Sequence, residues 1–169
     1  EQRLREWFGN ATRVMLPGRG FYIWGGYANV ANYPPALKEA GLYFSQTIIW
    51  DKQHPVLTRK DFMGAHEWSF YGWKEGAAHQ FYGPANVPDL WQVKKVTPQL
   101  MVHLTEKPVE LAARAIQYSS KEGEHVLAPV PGHHHGGEAH ANHRSMPRSA
   151  MARRDAPRRP RNRDQRGRQ

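Results

Sequence analysis

The sequence predicts an α/β fold in which crossover connections return the chain to one sheet. Short apolar runs typical of strands recur at residues 21–24, 44–50 and 68–71. Helical periodicity precedes the first run and returns between the first and the second, as expected when strands and helices alternate. Every Trp, Tyr and Phe lies before Leu127, the last being Tyr118. The core is therefore expected within residues 1–127.

The first predicted elements are an amphipathic helix and a strand. The helix covers residues 2–15, where apolar residues recur at helical spacing, and Pro17 and Gly18 end it. Residues 21–24 form a nearly continuous apolar run bounded by glycines, which is typical of a buried parallel strand.

A second helix and two further strands follow. Pro34 and Pro35 are suited to the first turn of a helix, and Gly41 closes it. The apolar runs at 44–50 and 68–71 predict two more strands, separated by a polar loop.

The stretch from His79 to Leu100 predicts a long irregular segment, because glycines and prolines punctuate its aromatic residues. Segments of this length in a compact domain are functional or disordered, and Phe81, Tyr82, Leu90 and Trp91 argue that this one packs on another part of the protein. With Lys94–Lys95 it suits nucleic acid. A surface insertion with its own small cluster is the alternative interpretation.

The segment from His103 to Leu111 carries the sharpest local signal. Pro108 fits the start of a helix that runs to Tyr118, with Val109, Ala112, Ala113 and Ile116 on its apolar face. The loop before this helix presents a hydroxyl, an ammonium and backbone donors, a setting that favours an anionic ligand group. After the helix, residues 125–127 predict another buried strand.

Several motifs in order resemble one enzyme family. The residues His103-Leu-Thr-Glu-Lys-Pro-Val-Glu-Leu111 resemble the motif that precedes the cofactor-binding strand in DNA methyltransferases acting on the exocyclic amine of adenine or cytosine. Gln46 to Lys52 resembles that family's strand ending in Trp-x-Lys, and Arg59 to Lys74 resembles its next strand, introduced by His-Glu. Residues 4–24 resemble the helix and strand that follow its catalytic motif.

The resemblance implies an incomplete Rossmann-like methyltransferase sheet over residues 1–127, with S-adenosylmethionine as cofactor. It implies that 79–102 is the target-recognition segment and that double-stranded DNA is the partner, in a restriction, phage or plasmid context. Adenine N6 is the expected target rather than cytosine N4. The implied site residues form two groups. The cofactor group is His103, Thr105, Glu106, Lys107 and Pro108, and the DNA group is Arg59, Lys60, Lys94 and Lys95.

The sequence departs from the family's pattern at two places. It contains no Asp-Pro-Pro-Tyr or Asn-Pro-Pro-Tyr motif, which in the family positions the target amine, so no catalytic residue is assigned. Past Leu127, Pro129 and Pro131 stand where the family carries a Gly-x-Gly loop, and proline removes a backbone donor. We expect an inactive fragment whose segment after Leu127 is read out of frame.

Residues 128–169 carry ten Arg and five His but no Leu, Ile or aromatic residue. Against three acidic residues the segment has a net charge of +7, which is typical of a disordered basic tail. An Arg run of this kind can also neutralise phosphates, so a non-enzymatic nucleic-acid-binding protein is the alternative function.

Several classes of site are not expected. The sequence contains no cysteine, which excludes disulfides and Cys-based zinc sites. The adjacent His133, His134 and His135 lack the spacing of a built metal site. No apolar run is long enough for a membrane span, and a cytoplasmic protein is expected.

Overall fold

The computed structural model describes residues 2–97 and 106–128. His103, Thr105, the three adjacent histidines and the basic tail from Pro129 onwards lie outside the described residues. Within them no helix is long and apolar enough to cross a membrane. The elements in chain order are α1 Gln2–Val14, β1 Gly20–Gly25, a 3₁₀ helix Tyr27–Asn32, α2 Tyr33–Glu39, β2 Leu42–Val56, β3 Gly64–Lys74, β4 Leu90–Gln92 and α3 Val109–Ser119.

The described strands form one mixed sheet in the order β1-β3-β2-β4. β3 is antiparallel to both β1 and β2, and β4 is parallel to β2. Since β1 and β2 each oppose β3, they run in the same direction, and α2 makes the expected crossover between them. The alternation of strands and helices is therefore confirmed.

The prediction that residues 21–24 pair as a parallel strand is wrong, because β1 pairs antiparallel with β3. Its apolar character has another cause. Phe21 and Ile23 pack on one face of the sheet, whereas Tyr22 and Trp24 pack on the other. A strand covered on both faces is apolar throughout whichever way its neighbour runs.

The first face of the sheet is covered by α1 and α2. Phe8 and Leu37 from these helices are fully buried against Phe21, Leu42 and Phe70 of the strands. Tyr33, at the first position of α2, stacks on Phe70 with ring centroids 4.6 Å apart. As predicted, two prolines lie in the first turn of α2, and Gly41 with φ +72° follows its end.

The second face is covered by α3 and by the segment that contains β4. Trp91 and Leu111 are buried there against Ile48, Trp50 and Tyr71. The indole Nε1 of Trp50 donates a hydrogen bond of 2.7 Å to the carbonyl oxygen of Val93, which fixes the segment after β4. The expectation that this segment packs on another part of the protein is confirmed for Trp91, and the Phe81 ring meets that of Tyr118 with centroids 5.8 Å apart. It is wrong for Leu90, which is 45% exposed.

Two predictions about the C-terminal part of the domain are wrong. The buried side of α3 is formed by Leu111, Ala115 and Tyr118, whereas Val109 is exposed, because contacts with β4 and the sheet select that side. Residues 125–127 form no strand, and Val126 and Leu127 are exposed. Among the described residues no strand pairs with them. A short apolar run is therefore not enough to form a strand without a neighbouring strand to pair with.

Neighbouring residues of β4 provide a test of the second face. Replacing Trp91, which is 2% exposed, with Ala is expected to lower the free energy of unfolding by about 3–5 kcal/mol through loss of buried contacts. Leu90→Ala is the matched control, since that side chain is 45% exposed and its loss should change stability by about 0.5 kcal/mol or less. Urea unfolding measures both, and equal effects would contradict the burial of Trp91.

Candidate functional site

The site is built at the edge where the parallel strands end. The register places Gly25 of β1, Ile49 of β2 and Leu90 of β4 at the same level of the sheet. Beyond that level β2 and β3 continue as a hairpin that projects past the end of β1. Crevices outside the carboxyl ends of strands are where ligands bind in open α/β sheets.

A carboxylate on β3 joins two lysines at this edge. Glu67 Oε1 lies 2.9 Å from Lys52 Nζ on β2, and Glu67 Oε2 lies 3.0 Å from Lys107 Nζ. Lys107 directly precedes Pro108 and the start of α3. Three segments that are distant in sequence, which contain Trp-x-Lys, His-Glu and Glu-Lys-Pro respectively, therefore meet at the Glu67 side chain. We name Lys52, Glu67 and Lys107 the ion-pair cluster.

Two tryptophans flank the ion-pair cluster. Trp24 and Trp50 meet edge to face with ring centroids 6.1 Å apart. Lys107 Nζ lies 5.8 Å from the Trp24 ring centre, and Lys52 Nζ lies 5.6 Å from that of Trp50. Each ammonium therefore lies within range of an aromatic π-face as well as a carboxylate. These contacts orient both lysines at the mouth of the crevice.

The surroundings of Glu67 keep it ionised. Partial burial alone would raise its pKa, but hydrogen bonds and positive charge from Lys52 and Lys107 outweigh this effect and lower the pKa of the Glu67 carboxyl. The Lys52 side chain is only 14% exposed and that of Lys107 is 31% exposed. The Glu67 carboxylate thus offsets the positive charge of two ammonium groups that have limited access to water.

The start of α3 suits an anionic ligand group. Pro108 is buried and occupies the N-cap with φ −54° and ψ 133°, and its own side chain makes no capping hydrogen bond. The first N–H groups and the positive end of an 11-residue helix favour a carboxylate or phosphate. Lys107 adds a cation beside them, while the preceding Glu106 is half-buried. The described residues therefore fit the carboxylate of an amino-acid group.

The four basic residues predicted to contact DNA all follow strand ends at this edge. Arg59 and Lys60 lie exposed in the turn between β2 and β3, with Lys60 Nζ 4.1 Å from the Tyr27 ring centre. Lys94 is exposed just after β4, and Lys95 donates its backbone N–H to the carbonyl of Lys52 at 3.3 Å. The second pair is thus joined through the backbone to the ion-pair cluster.

A cavity connects the cluster with the β2–β3 turn. Its volume is about 230 Å³, and its lining includes Tyr27, Lys52, Thr58, Glu67 and Trp68. A larger cavity of about 290 Å³ lies under the segment before β4, where Tyr22, Trp73 and Tyr118 line it away from the cluster. The sequence did not indicate that Lys52 and Glu67 belong to the site, although both occur in the recognised motifs.

A family model for DNA methylases, N6_N4_Mtase, matches residues 1–134, which include all of the elements above. The chain belongs to the N6/N4 DNA methylase family. It is 28% identical over 143 residues to the type II methyltransferase M2.DpnII of Streptococcus pneumoniae. That match covers 76% of this chain and 53% of the relative, so the chain spans about half the length of the curated relative.

Solved methyltransferase structures share the fold. M1.HpyAVI in complex with SAM superposes with a TM-score of 0.62 at 21% identity, covering 71% of this chain and 61% of that one. TTHA0409 of Thermus thermophilus, assigned as a DNA modification methylase, gives a TM-score of 0.50 at 18% identity, covering 69% and 56%. The predicted α/β methyltransferase fold is thereby confirmed, and the four described strands form part of its sheet.

The pKa of Glu67 makes the stability of the domain depend on pH. Because its pKa is lower in the folded than in the unfolded state, ionised Glu67 stabilises the fold above about pH 4 and loses this effect as pH falls through its folded-state pKa. We expect Glu67→Gln to be less stable than the wild type at pH 7 and to approach it at acidic pH, as followed by urea unfolding at a series of pH values.

Glu39→Gln serves as the control for this experiment. Glu39 pairs with Arg5 at 3.0 Å, but both side chains are about half exposed, so the loss should be about 0–1 kcal/mol. A pH-independent difference between Glu67→Gln and the wild type would contradict the assigned role of the carboxylate.

Proposed function

We propose that this chain provides the cofactor-binding and DNA-contacting part of a methyltransferase that moves a methyl group from S-adenosylmethionine to adenine N6, rather than cytosine N4. The observation that carries the proposal is the ion-pair cluster, which orients Lys107 at the start of α3. Membership in a DNA methylase family supplies the reaction class and its cofactor.

The residues at the start of α3 would hold the amino-acid end of the cofactor. Lys107 attracts its carboxylate, and the first-turn N–H groups after Pro108 donate to it. Glu67 keeps the Lys107 ammonium in place, while Lys52 balances the second oxygen of the Glu67 carboxylate. His103, Thr105 and Glu106, which precede Lys107 in the sequence, complete the proposed set. When bound, S-adenosylmethionine supplies a methyl group on a positively charged sulfur.

DNA would lie across the edge formed by the strand ends. Arg59, Lys60, Lys94 and Lys95 follow β2 and β4 there, and such side chains position a duplex through its phosphates without reading sequence. The aromatic segment of residues 79–102 is the proposed target-recognition region. The target base would be turned out of the stack before transfer, as enzymes that modify bases require.

Positioning of the target amine is the part of the reaction that this sequence does not supply. The chain has no Asp-Pro-Pro-Tyr or Asn-Pro-Pro-Tyr motif. Much of the catalytic effect in such a transfer comes from orienting the attacking nitrogen. We therefore propose that the isolated chain binds the cofactor but transfers no methyl group.

Cofactor binding can be tested at Lys107. Lys107→Ala is expected to weaken the binding of S-adenosylmethionine about 10- to 100-fold, the loss typical of a hydrogen bond to a charged group. Isothermal titration calorimetry measures it. Lys38→Ala is the matched control, since Lys38 is exposed on α2 on the opposite face of the sheet and should leave affinity unchanged.

Equal affinities of Lys107→Ala and Lys38→Ala would reject the proposed cofactor site. A labelled methyl group from S-adenosylmethionine measures transfer separately, and its incorporation into DNA by the chain would show that the amine is positioned by other residues.

The basic residues 128–169 support a second candidate, a non-enzymatic nucleic-acid-binding protein. With a net charge of +7 they should bind any duplex with an affinity that falls steeply as salt rises. Fluorescence anisotropy of a labelled duplex across a salt series tests this expectation. Removal of residues 128–169 should abolish binding if the tail is responsible, whereas retained binding would favour the strand-end residues.

A further inference from the structure

The β2–β3 hairpin ends in apolar side chains that face solvent. We call residues 57–63 the hairpin tip. Leu57 is 83% exposed, Phe62 is 86% exposed and Met63 is 53% exposed. Single exposed apolar residues are common on protein surfaces, but three among seven consecutive residues are an unusual concentration that needs an explanation.

The hairpin tip is ordered by polar contacts rather than by burial. Pairing of Val56 with Gly64 closes the hairpin below it. The Thr58 hydroxyl donates a hydrogen bond of 2.8 Å to the carbonyl of Phe62 and accepts one of 3.2 Å from the backbone N–H of Lys60. These bonds hold the loop in one shape while leaving Leu57 and Phe62 uncovered. The exposure of Leu57 and Phe62 is therefore part of the folded conformation of the loop.

Lys60 connects the hairpin tip to the rest of the domain. Its ammonium lies over the ring of Tyr27, which is itself 54% exposed and belongs to the 3₁₀ helix after β1. Below the tip, the pairing of β2 with β3 is irregular between Asp51 and Val56, where Gln53 has φ +54° and donates its N–H to Asp51 Oδ1 at 2.9 Å. An irregularity of this kind re-aims the end of a hairpin.

The hairpin tip is close to the proposed cofactor site. The cavity of about 230 Å³ is lined by Thr58 at the base of the tip and by Lys52 and Glu67 of the ion-pair cluster. Both features lie beyond the carboxyl end of β1. A ligand that contacts the tip and the cluster together must therefore lie across this edge.

We propose that Leu57 and Phe62 form a wedge that enters a DNA duplex between bases, beside the base that is turned out. This inference rests on the proposed function. Apolar side chains of these types are the ones that proteins insert between base steps, where they replace lost stacking. Between them in sequence lie Arg59, Lys60 and Asp61. The two positive charges outweigh the one negative charge, so the tip carries a net positive charge suited to phosphates.

The test uses the full chain and a duplex with 2-aminopurine in a central mismatch. A mismatched base costs least to unstack, and the fluorescence of 2-aminopurine rises when it leaves the stack. Excess fully paired duplex of the same sequence captures binding that does not depend on the mismatch, including binding through residues 128–169.

Three double variants separate the contributions. Leu57→Ala with Phe62→Ala removes the wedge and is expected to lower mismatch-dependent affinity about fivefold or more, with loss of the fluorescence rise. Val14→Ala with Leu16→Ala is the matched control, since these residues are 64% and 65% exposed before β1 and should behave as the wild type. Arg59→Ala with Lys60→Ala should weaken binding to paired and mismatched duplexes alike.

Equal fluorescence from the wedge variant and its control would overturn the proposal, as would the absence of any rise with the wild type. Circular dichroism checks folding. Should the wedge variant not fold, Phe62→Trp, which keeps a flat apolar ring, is compared with Phe62→Ser, and equal signals from these two would likewise overturn it.

Calorimetry with S-adenosylmethionine measures cofactor binding, and so tests the proposed function, on the same proteins. Cofactor binding with equal fluorescence from the wedge variant and its control would reject the wedge alone. A wedge-dependent fluorescence rise without cofactor binding would reject the proposed cofactor site and retain the DNA contact.

Discussion

The antiparallel position of β3 between β1 and β2 is the constraint on which the rest of the structure depends. It separates the two parallel strands by one strand width, so that α2 can cross between them on one face while α3 covers the other. It also brings Glu67 level with Trp50 of β2, just beyond the end of β1. β3 thus creates the crevice by separating β1 from β2, and it also carries Glu67, the carboxylate at the centre of the crevice.

Glu67 connects folding with the proposed chemistry. A carboxylate that bridges Lys52 and Lys107 gains attraction from both, but each ammonium also loses contact with water, so the pair interactions largely offset desolvation. The cluster therefore orients Lys107 in addition to the contribution of ionised Glu67 to stability. It fixes the entry to α3, and α3 in turn covers Trp91 and the second face of the sheet.

The sequence predicted most elements but not how they meet. Apolar runs and proline or glycine punctuation located α1, α2 and the cores of β1, β2 and β3, because these signals are local. The sequence of residues 21–24 did not reveal the direction of the strand. A strand covered on both faces is apolar throughout whether its neighbour is parallel or antiparallel. The buried side of α3 depended on contacts of Leu111 with distant strands, which helical periodicity in an alanine-rich segment cannot identify.

The candidate site divides in the same way. Lys107 and Pro108 were indicated by a short motif, whereas the partnership of Lys52, Glu67 and Lys107 required the pairing register, because the three are separated by 15 and 40 positions along the chain. The apolar hairpin tip was not predicted at all. Leu57 and Phe62 look like ordinary core residues until the structure shows that nothing among the described residues covers them.

β1 and β4 lie at the two edges of the described sheet, and this has a consequence for how the polypeptide behaves by itself. The strand Gly20–Gly25 contains no charged residue and no proline, the features by which proteins discourage pairing at an open edge. Its outer row of amides is thus a template on which a further strand can be laid. Among the described strands the sheet therefore stops at β1, where backbone N–H and C=O groups face outward in the geometry that a neighbouring strand requires.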